Sequence, residues 1–153
     1  MLDLDQYGIS KEWNPQEEIV YCTALMYNKV SSSIANYLKD YNLTVGKFNI
    51  LFALKNHGGI DGIKQVEVSK HLIVTPSNMT KMIDKLEKEG MVTRSALEGD
   101  RRVNIVKITE KALDLLKNIW DGYNEVIQNS VKDLTISQQK QLAGLLKNWF
   151  SKA

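Results

Sequence analysis

The stretch from Thr75 to Thr109 constrains the fold more than any other part of the chain: TPSNMTKMIDKLEKEG, MVTRSA, LEGDRR, VNIVKIT. Its apolar periodicity changes from helical to strand-like at a single glycine. Met79, Met82, Ile83 and Leu86 recur at i, i+3, i+4 and i+7, which makes one apolar stripe on a helix. Thr75 is placed to cap that helix, because its hydroxyl can accept from an orphan backbone N–H. Pro76 falls at the first helical position, where a missing N–H costs nothing. Gly90 ends the helix by taking the left-handed conformation after the last turn. Beyond it, Met91, Val92 and Thr93 open one β-prone run, and Val103, Ile105, Val106 and Ile108 form another. Glu98-Gly99-Asp100 between them is a turn signal.

The side chains away from the stripe carry the chemistry. Ser77, Lys81, Asp84 and Lys88 lie opposite it, flanked by Asn78, Thr80 and Lys85. Ser, Thr, Asn and Lys can reach base edges or phosphates in a major groove. The alternative is an ordinary solvated face. Asp84, Glu87 and Glu89 confine any nucleic-acid contact to the N-terminal half of the helix. Arg94 on the first strand, and Arg101 and Arg102 just past the turn, supply cations to the hairpin. In a regular strand Asp100 and Arg102 share a face and can pair, which leaves Arg101 pointing the other way, toward a narrow minor groove. The bland counterpart is a surface turn with an ion pair worth ~0–1 kcal/mol.

Upstream, Gln65 to Leu72 reads as a short helix with Val66, Val68 and Leu72 apolar, and Ile73-Val74 lead into Thr75. Two helices joined by a short turn make a helix-turn-helix, and the hairpin adds a wing. In order and residue types the chain resembles the MarR family of bacterial transcription regulators. The resemblance rests on GIKQVEVSKHL (Gly62–Leu72), TPSNMTKMIDKLEKEGMV (Thr75–Val92) and DRRVNIVKIT (Asp100–Thr109), with LTVGKFNILFAL (Leu43–Leu54) similar to the preceding helix. Lys64 stands where many relatives have a Thr or Ser cap, and the Gly58–Gly62 connection is longer.

The flanking segments read as helices. One pattern runs from Pro15 to Tyr41, a second succeeds Thr109, and a third starts at a Thr135/Gln138 capping box and carries Leu142, Leu145, Leu146, Trp149 and Phe150. They are more apolar than a small winged-helix core requires, which points to a helical dimer interface. The expected fold is mainly α with a small β-hairpin wing. It is a single chain, 1–153, with residues 1–42 and 110–153 as dimerisation helices around a DNA-binding region at 43–109. Residues 64–107 hold nine Lys/Arg against six Asp/Glu, whereas residues 1–63 hold five against seven. Positive charge therefore gathers at the proposed contact surface.

The resemblance implies a homodimeric regulator on double-stranded DNA with a pseudo-palindromic operator, half-sites about 10 bp apart. DNA contacts carry over to Thr75, Pro76, Ser77, Asn78, Thr80, Lys81, Lys85, Arg94, Asp100, Arg101 and Arg102. It further implies a repressor released by a small aromatic or phenolic effector held between the dimerisation helices and the winged region. Trp13, Tyr21, Tyr37, Phe48, Trp120 and Tyr123 are the candidate lining, although aromatics at helical spacing also serve simply as core. Some relatives sense peroxides through a cysteine near the start of the first helix, and Cys22 is in that neighbourhood. Glu17 and Glu18 oppose a thiolate there, Lys29 is two turns away, and those sensors supply tyrosines from the following helix where this chain has Phe48. A third reading is a winged-helix interaction module without DNA binding, for which an arginine wing tip has no use.

Enzyme motifs are absent: there is no GxSxG, P-loop or GxGxxG with its acidic partner, and His57, His71 and Cys22 have no metal-ligand spacing. No catalytic residue, metal or cofactor is expected. No run of ~18 apolar residues offers a membrane span. One cysteine cannot make an internal disulfide, and the expected location is cytoplasmic.

Overall fold

The fold comes from a computed structural model, which describes Tyr7 and residues 14–72 and 78–152, the Arg101 side chain excepted. Helix α1 (Pro15–Lys39) starts at Asn14, whose side chain accepts from the Glu17 N–H at 3.2 Å. Glu17 and Glu18 in its first turn complement the positive end of the helix. It stops two residues short of Tyr41, and Asn42 turns the chain at φ 53. Helix α2 (Val45–His57) is capped by Thr44 and buries Phe48, Ile50, Leu51, Ala53 and Leu54. With apolar residues around most of its circumference it can only be a core helix.

Strand β1 (Ile63–Lys64) leads into α3 (Gln65–Val68), which tightens into a 3-10 turn at Ser69–His71. The helix expected from Gln65 to Leu72 is thus one α-turn and one 3-10 turn. Lys64 occupies the N-cap position and makes no side-chain cap bond, so nothing there strengthens the helix start. Val68 is buried, but Val66 is 73% exposed and is not part of the apolar face.

Helix α4 (Met79–Lys88) has Asn78 at its N-cap position; the cap expected from Thr75 and Pro76 lies outside the described residues. Ile83 and Leu86 are fully buried, with Met79 and Met82 packed beside them. The helix ends as its sequence requires. Gly90 adopts φ 69, its N–H bonds to the Glu87 carbonyl, and the Met91 N–H bonds back to the Leu86 carbonyl at 2.8 Å. That pair of bonds is the Schellman arrangement, and it needs the left-handed residue.

Strands β2 (Val92–Leu97) and β3 (Asp100–Ile108) form the wing, and β1 adds to the far edge of β3, giving the order β1-β3-β2. The third strand has no counterpart in the sequence pattern, because two residues carry no periodicity. Pairing runs regularly from Val92↔Ile108 to Ala96↔Asn104 and then jumps to Leu97↔Asp100. Residues 101–103 therefore face no partner on β2, and the chain bulges there. Thr109 ties the sheet to the next helix: its hydroxyl donates to the Gly90 carbonyl at 2.8 Å and accepts from the Ala112 N–H at 3.3 Å. It thereby caps α5 (Glu110–Ser130).

The core joins Leu38, Ile50, Leu54, Val68, Ile83, Val106 and Ile119, so α1, α2, α3, α4, β3 and α5 share one apolar interior. Helix α6 (Ile136–Phe150) opens on the Thr135/Gln138 capping box and contributes no buried residue. Where α1 crosses α5, the Tyr37 ring lies against Gly122, and a Cβ on that glycine would come within 2.7 Å of the ring carbons.

Candidate DNA interface and effector cavity

Helix α4 presents Asn78, Thr80, Lys81 and Lys85 to solvent beside the wing. Thr75, Pro76 and Ser77 lie outside the described residues, so their part in this face stands on sequence alone. Arg102 is exposed on β3 at the bulge. The expected Asp100–Arg102 side-chain pair does not form: the Asp100 carboxylate accepts from the backbone N–H of Arg102 at 3.0 Å. The bulge breaks the strand alternation on which that pairing depended. Asp100 thus fastens the wing-tip backbone and leaves the Arg102 guanidinium uncommitted to it.

Arg94 departs furthest from its expected role. Its guanidinium reaches Asp84 and, at 2.7 Å, Glu87, both on α4, and lies 3.4 Å from the Gln65 amide oxygen of α3. The Arg94 side chain is 19% exposed. The two carboxylates hold it protonated by their hydrogen bonds, Asp84 foremost, and raise its pKa above the ordinary arginine value. Arg94 is therefore committed inside the protein, where it fixes the wing strand to the reading helix. Gln65 extends the network, with its amide nitrogen 3.4 Å from the Thr80 hydroxyl.

The acidic residues of α4 have the same explanation. Asp84 and Glu87 hold Arg94, and Glu89 binds Lys47 of α2 at 2.5 and 2.7 Å. Lys111 donates to the Glu89 carbonyl at 2.7 Å, a cation at the negative end of the helix. The C-terminal half of α4 is the clamped half, while Asn78, Thr80 and Lys81 on the polar face of its N-terminal half stay exposed.

A cleft of about 340 Å³ at the base of the wing brings Arg102 and Asn104 of β3 to Lys64, Glu67 and Lys70. Sequence reasoning missed Lys64 and Lys70 as candidates for this surface. Their signal was present in the local excess of Lys and Arg, and β1 and the short α3 turn bring them to the wing.

A second, larger cavity of about 680 Å³ opens between α1, α2, α5 and α6. Of the expected lining residues, Phe48 and Tyr123 are in its wall. Tyr21 is 43% exposed on α1 and outside that wall, and Trp13 lies outside the described residues. Trp120 stands one layer back, stacked on Phe52 at 5.6 Å and on Tyr123 at 5.7 Å. Phe48 closes the aromatic box, 4.9 Å from Tyr123 and 5.8 Å from Phe52. Tyr37 is not in the wall. Its hydroxyl donates to the Ile119 carbonyl at 2.9 Å and lies 3.2 Å from the Tyr41 hydroxyl, so it belongs to the α1–α5 crossing. Burial first, then the Tyr41 hydroxyl, pushes its pKa up to about 12.

The wall also contains Cys22, Met26, Val30 and Ile34 of α1. These four recur at every fourth residue along one helix face, a pattern readable in the sequence once that face is known to border a void. Cys22 is half-buried there, with no cationic side chain beside it among the described residues of the wall. Burial pushes the Tyr123 phenol up. His57 and His71 stack at 4.0 Å, remote in role from Cys22, and no three potential metal ligands cluster among the described residues. Nor is any helix among them long and apolar enough to cross a membrane.

A reading helix, a supporting turn and an arginine-bearing hairpin on one face define a winged helix-turn-helix DNA-binding protein. Residues 43–103 match the sequence model of the MarR family, and the relatives and solved structures that the chain resembles are HTH-type or MarR-family transcriptional regulators. It is similar to the HTH-type transcriptional repressor IacR of Pseudomonas putida, with 28% identity over 138 residues that cover 90% of this chain and 81% of IacR. Its fold matches Sco3205, a MarR family regulator of Streptomyces coelicolor solved in complex with DNA, at a TM-score of 0.79 and 20% identity over 94% of this chain and 91% of that one. It also matches BpsR of Bordetella bronchiseptica, whose DNA binding is regulated by 6-hydroxynicotinic acid, at a TM-score of 0.79 and 20% identity over 92% and 98% of the two chains.

Proposed function

We propose that the protein is a homodimeric repressor that binds a pseudo-palindromic operator and releases it when a small aromatic or phenolic molecule enters the cavity between α1, α2, α5 and α6. The observation that carries the DNA reading is the division of α4. Its C-terminal half is clamped by Arg94, Lys47 and Lys111, while Asn78, Thr80 and Lys81 at the other end stay exposed beside the wing. In this scheme Asn78, Thr80 and Lys81, together with Ser77, read bases. Lys85, Arg101, Arg102, Lys64 and Lys70 neutralise phosphates.

Dimerisation is supported by α6. Leu142, Leu145, Leu146, Trp149 and Phe150 are between 41% and 86% exposed, and Ile19, Val20 and Tyr27 of α1 are about half exposed. An apolar helix with no core of its own needs a second surface. A second copy supplies one, and it also sets two α4 helices for two half-sites.

Genome-wide DNA pull-down with the full chain, followed by footprinting of the best site, tests the scheme. The expected result is a dimer-sized protected palindrome with half-sites about 10 bp apart. Enrichment no greater than that of random DNA would refute it, and deletion from Ser137 onward should abolish both dimer and footprint.

A further inference from the structure

The cavity among α1, α2, α5 and α6 is walled without charge: among the described residues, no Asp, Glu, Lys, Arg or His side chain lines it. Its polar atoms are neutral ones, chiefly the Asn49 amide and the hydroxyls of Ser31, Tyr27 and Tyr123. The Thr23 hydroxyl donates its proton to the Ile19 carbonyl at 2.7 Å, which leaves it only as an acceptor. The rest of the surface is aliphatic or aromatic, with the Phe48 and Tyr123 rings, 4.9 Å apart, at its α2–α5 side.

A ring compound entering this space gains apolar burial whatever its substituent. A carboxylate on that ring gives up its water and finds no cation in return, which is the costly case for a buried charge. A hydroxyl or carbonyl in the same place needs only a neutral donor or acceptor, and Asn49, Ser31 and Tyr123 can supply both. A volume of about 680 Å³ is in the range that holds a drug-sized molecule, enough for two fused rings.

We propose that this cavity takes an uncharged, mainly apolar aromatic compound with one or two neutral hydrogen-bonding groups, and discriminates against the corresponding carboxylate. The acid that regulates BpsR would on this account be a poor ligand here. The proposal deepens the effector reading above by naming the ligand's chemistry, and binding can be measured apart from regulation.

Cys22 provides the measurement. It is the only cysteine in the chain and stands in the cavity wall, so an occupant should slow its alkylation by uncharged N-ethylmaleimide. The matched probes are 2-naphthol and 2-naphthoate, with the same rings and different charge. 2-Naphthol should protect Cys22 saturably, and 2-naphthoate should need roughly tenfold more or higher concentration for the same protection. Ser31→Lys places a cation in the wall and should narrow or invert that ratio. Asn49→Lys, on the facing helix, serves the same purpose if the first variant does not fold.

Equal or better protection by 2-naphthoate overturns the proposal, and so does protection by neither. A Cys22 that is inert in the ligand-free dimer and reacts only after dilution to monomer also overturns it, because the second copy then fills the space. If 2-naphthol protects Cys22 but leaves operator binding unchanged, the ligand class stands and the regulatory reading falls.

Discussion

Replacing Arg94 with Ala decides between a DNA contact and an internal clamp. Two charge-assisted bonds to Asp84 and Glu87 disappear. Buried bonds to charged groups contribute ~1.5–3 kcal/mol each, and exposed ion pairs ~0–1. The Arg94 side chain is 19% exposed while the two carboxylates are 44% and 40% exposed. That intermediate setting places each bond near 1 kcal/mol, so the substitution should cost about 2 kcal/mol. For a chain of this length the melting midpoint should fall by roughly 4–8 °C, less at high salt. The same substitution made in an Asp84→Ala, Glu87→Ala background should cost almost nothing, and the double-mutant cycle isolates the coupling. Operator titrations across a salt series supply the second test. A lost phosphate contact lowers the slope of log K against log salt by about 0.9. A lost clamp weakens binding with the slope unchanged. A slope lowered by one counterion, with stability intact, would refute the assignment of Arg94 to the protein interior.

The same geometry sets other outcomes. Asn78→Ala or Lys81→Ala should cost about 1–3 kcal/mol on the preferred operator if either makes a bidentate base contact, and on random DNA Lys81→Ala should lose more than Asn78→Ala; competition titration measures both. Arg102→Ala should weaken binding and lower the salt slope by roughly one counterion while leaving the melting curve unchanged, since Asp100 holds the backbone N–H and not the guanidinium. Gly122→Ala should destabilise by about 1–3 kcal/mol in denaturant titration, because the new methyl meets a Tyr37 ring already fixed to Ile119. Tyr37 has its folded pKa raised from 10.0 to about 12, so the unfolded chain releases its proton first; this contribution is whole below pH 10 and is lost as pH rises from there toward 12. Alkaline unfolding of Tyr37→Phe should show a shallower loss over that interval.

Much of the architecture was legible because each local signal agreed with its neighbours. The helical stripe of α4, the glycine at its end and the β-prone runs beyond specified the helix from Met79 onward and the two strands of the wing, and Thr44, Thr109 and Thr135 cap helices as their side chains allow. The failures have one cause: they turn on partners distant in sequence. Arg94 looks like any exposed strand cation until α4 is folded beside β2 and its carboxylates meet it. β1 has no pattern of its own and exists only because β3 offers an open edge. The Asp100–Arg102 side-chain pair could not be assigned by alternation, because the bulge at 101–103 is a property of the pairing with β2. Tyr37 falls on the same face of α1 as Cys22, Met26, Val30 and Ile34 but lies beyond them at the α5 crossing, whereas Tyr21, about 100° round the axis from Cys22, faces the surface. Periodicity names a helix face, but a void beside it depends on how far the neighbouring helices stand off.

Helix α2 is where the cavity and the DNA-facing surface meet. It sends Val45, Phe48 and Asn49 into the cavity wall, and it packs on α1, α3, α4, α5 and β3. Its contact with the reading helix is tight. A Cβ on Gly46 would lie 2.9 Å from the Met82 sulfur and terminal methyl, and Lys47 one residue on is bonded to Glu89 at the end of α4. On the other side, the Phe48 ring is tilted against Tyr123 and the Phe52 ring is stacked on Trp120, both of α5. A molecule that spreads Phe48 from Tyr123 therefore has two ways to be accommodated: α5 and α6 yield, or α2 moves. If α2 moves, α4 is drawn with it through the Met82 side chain packed against Gly46 and the Lys47–Glu89 pair that spans the same junction. Close-packed interiors transmit displacement of this kind instead of absorbing it. The wing travels with α4, since Arg94 joins β2 to Asp84 and Glu87. Occupancy of the cavity would then reorient the reading helix and the wing as one body, and on a palindrome that changes the spacing of two such bodies at once.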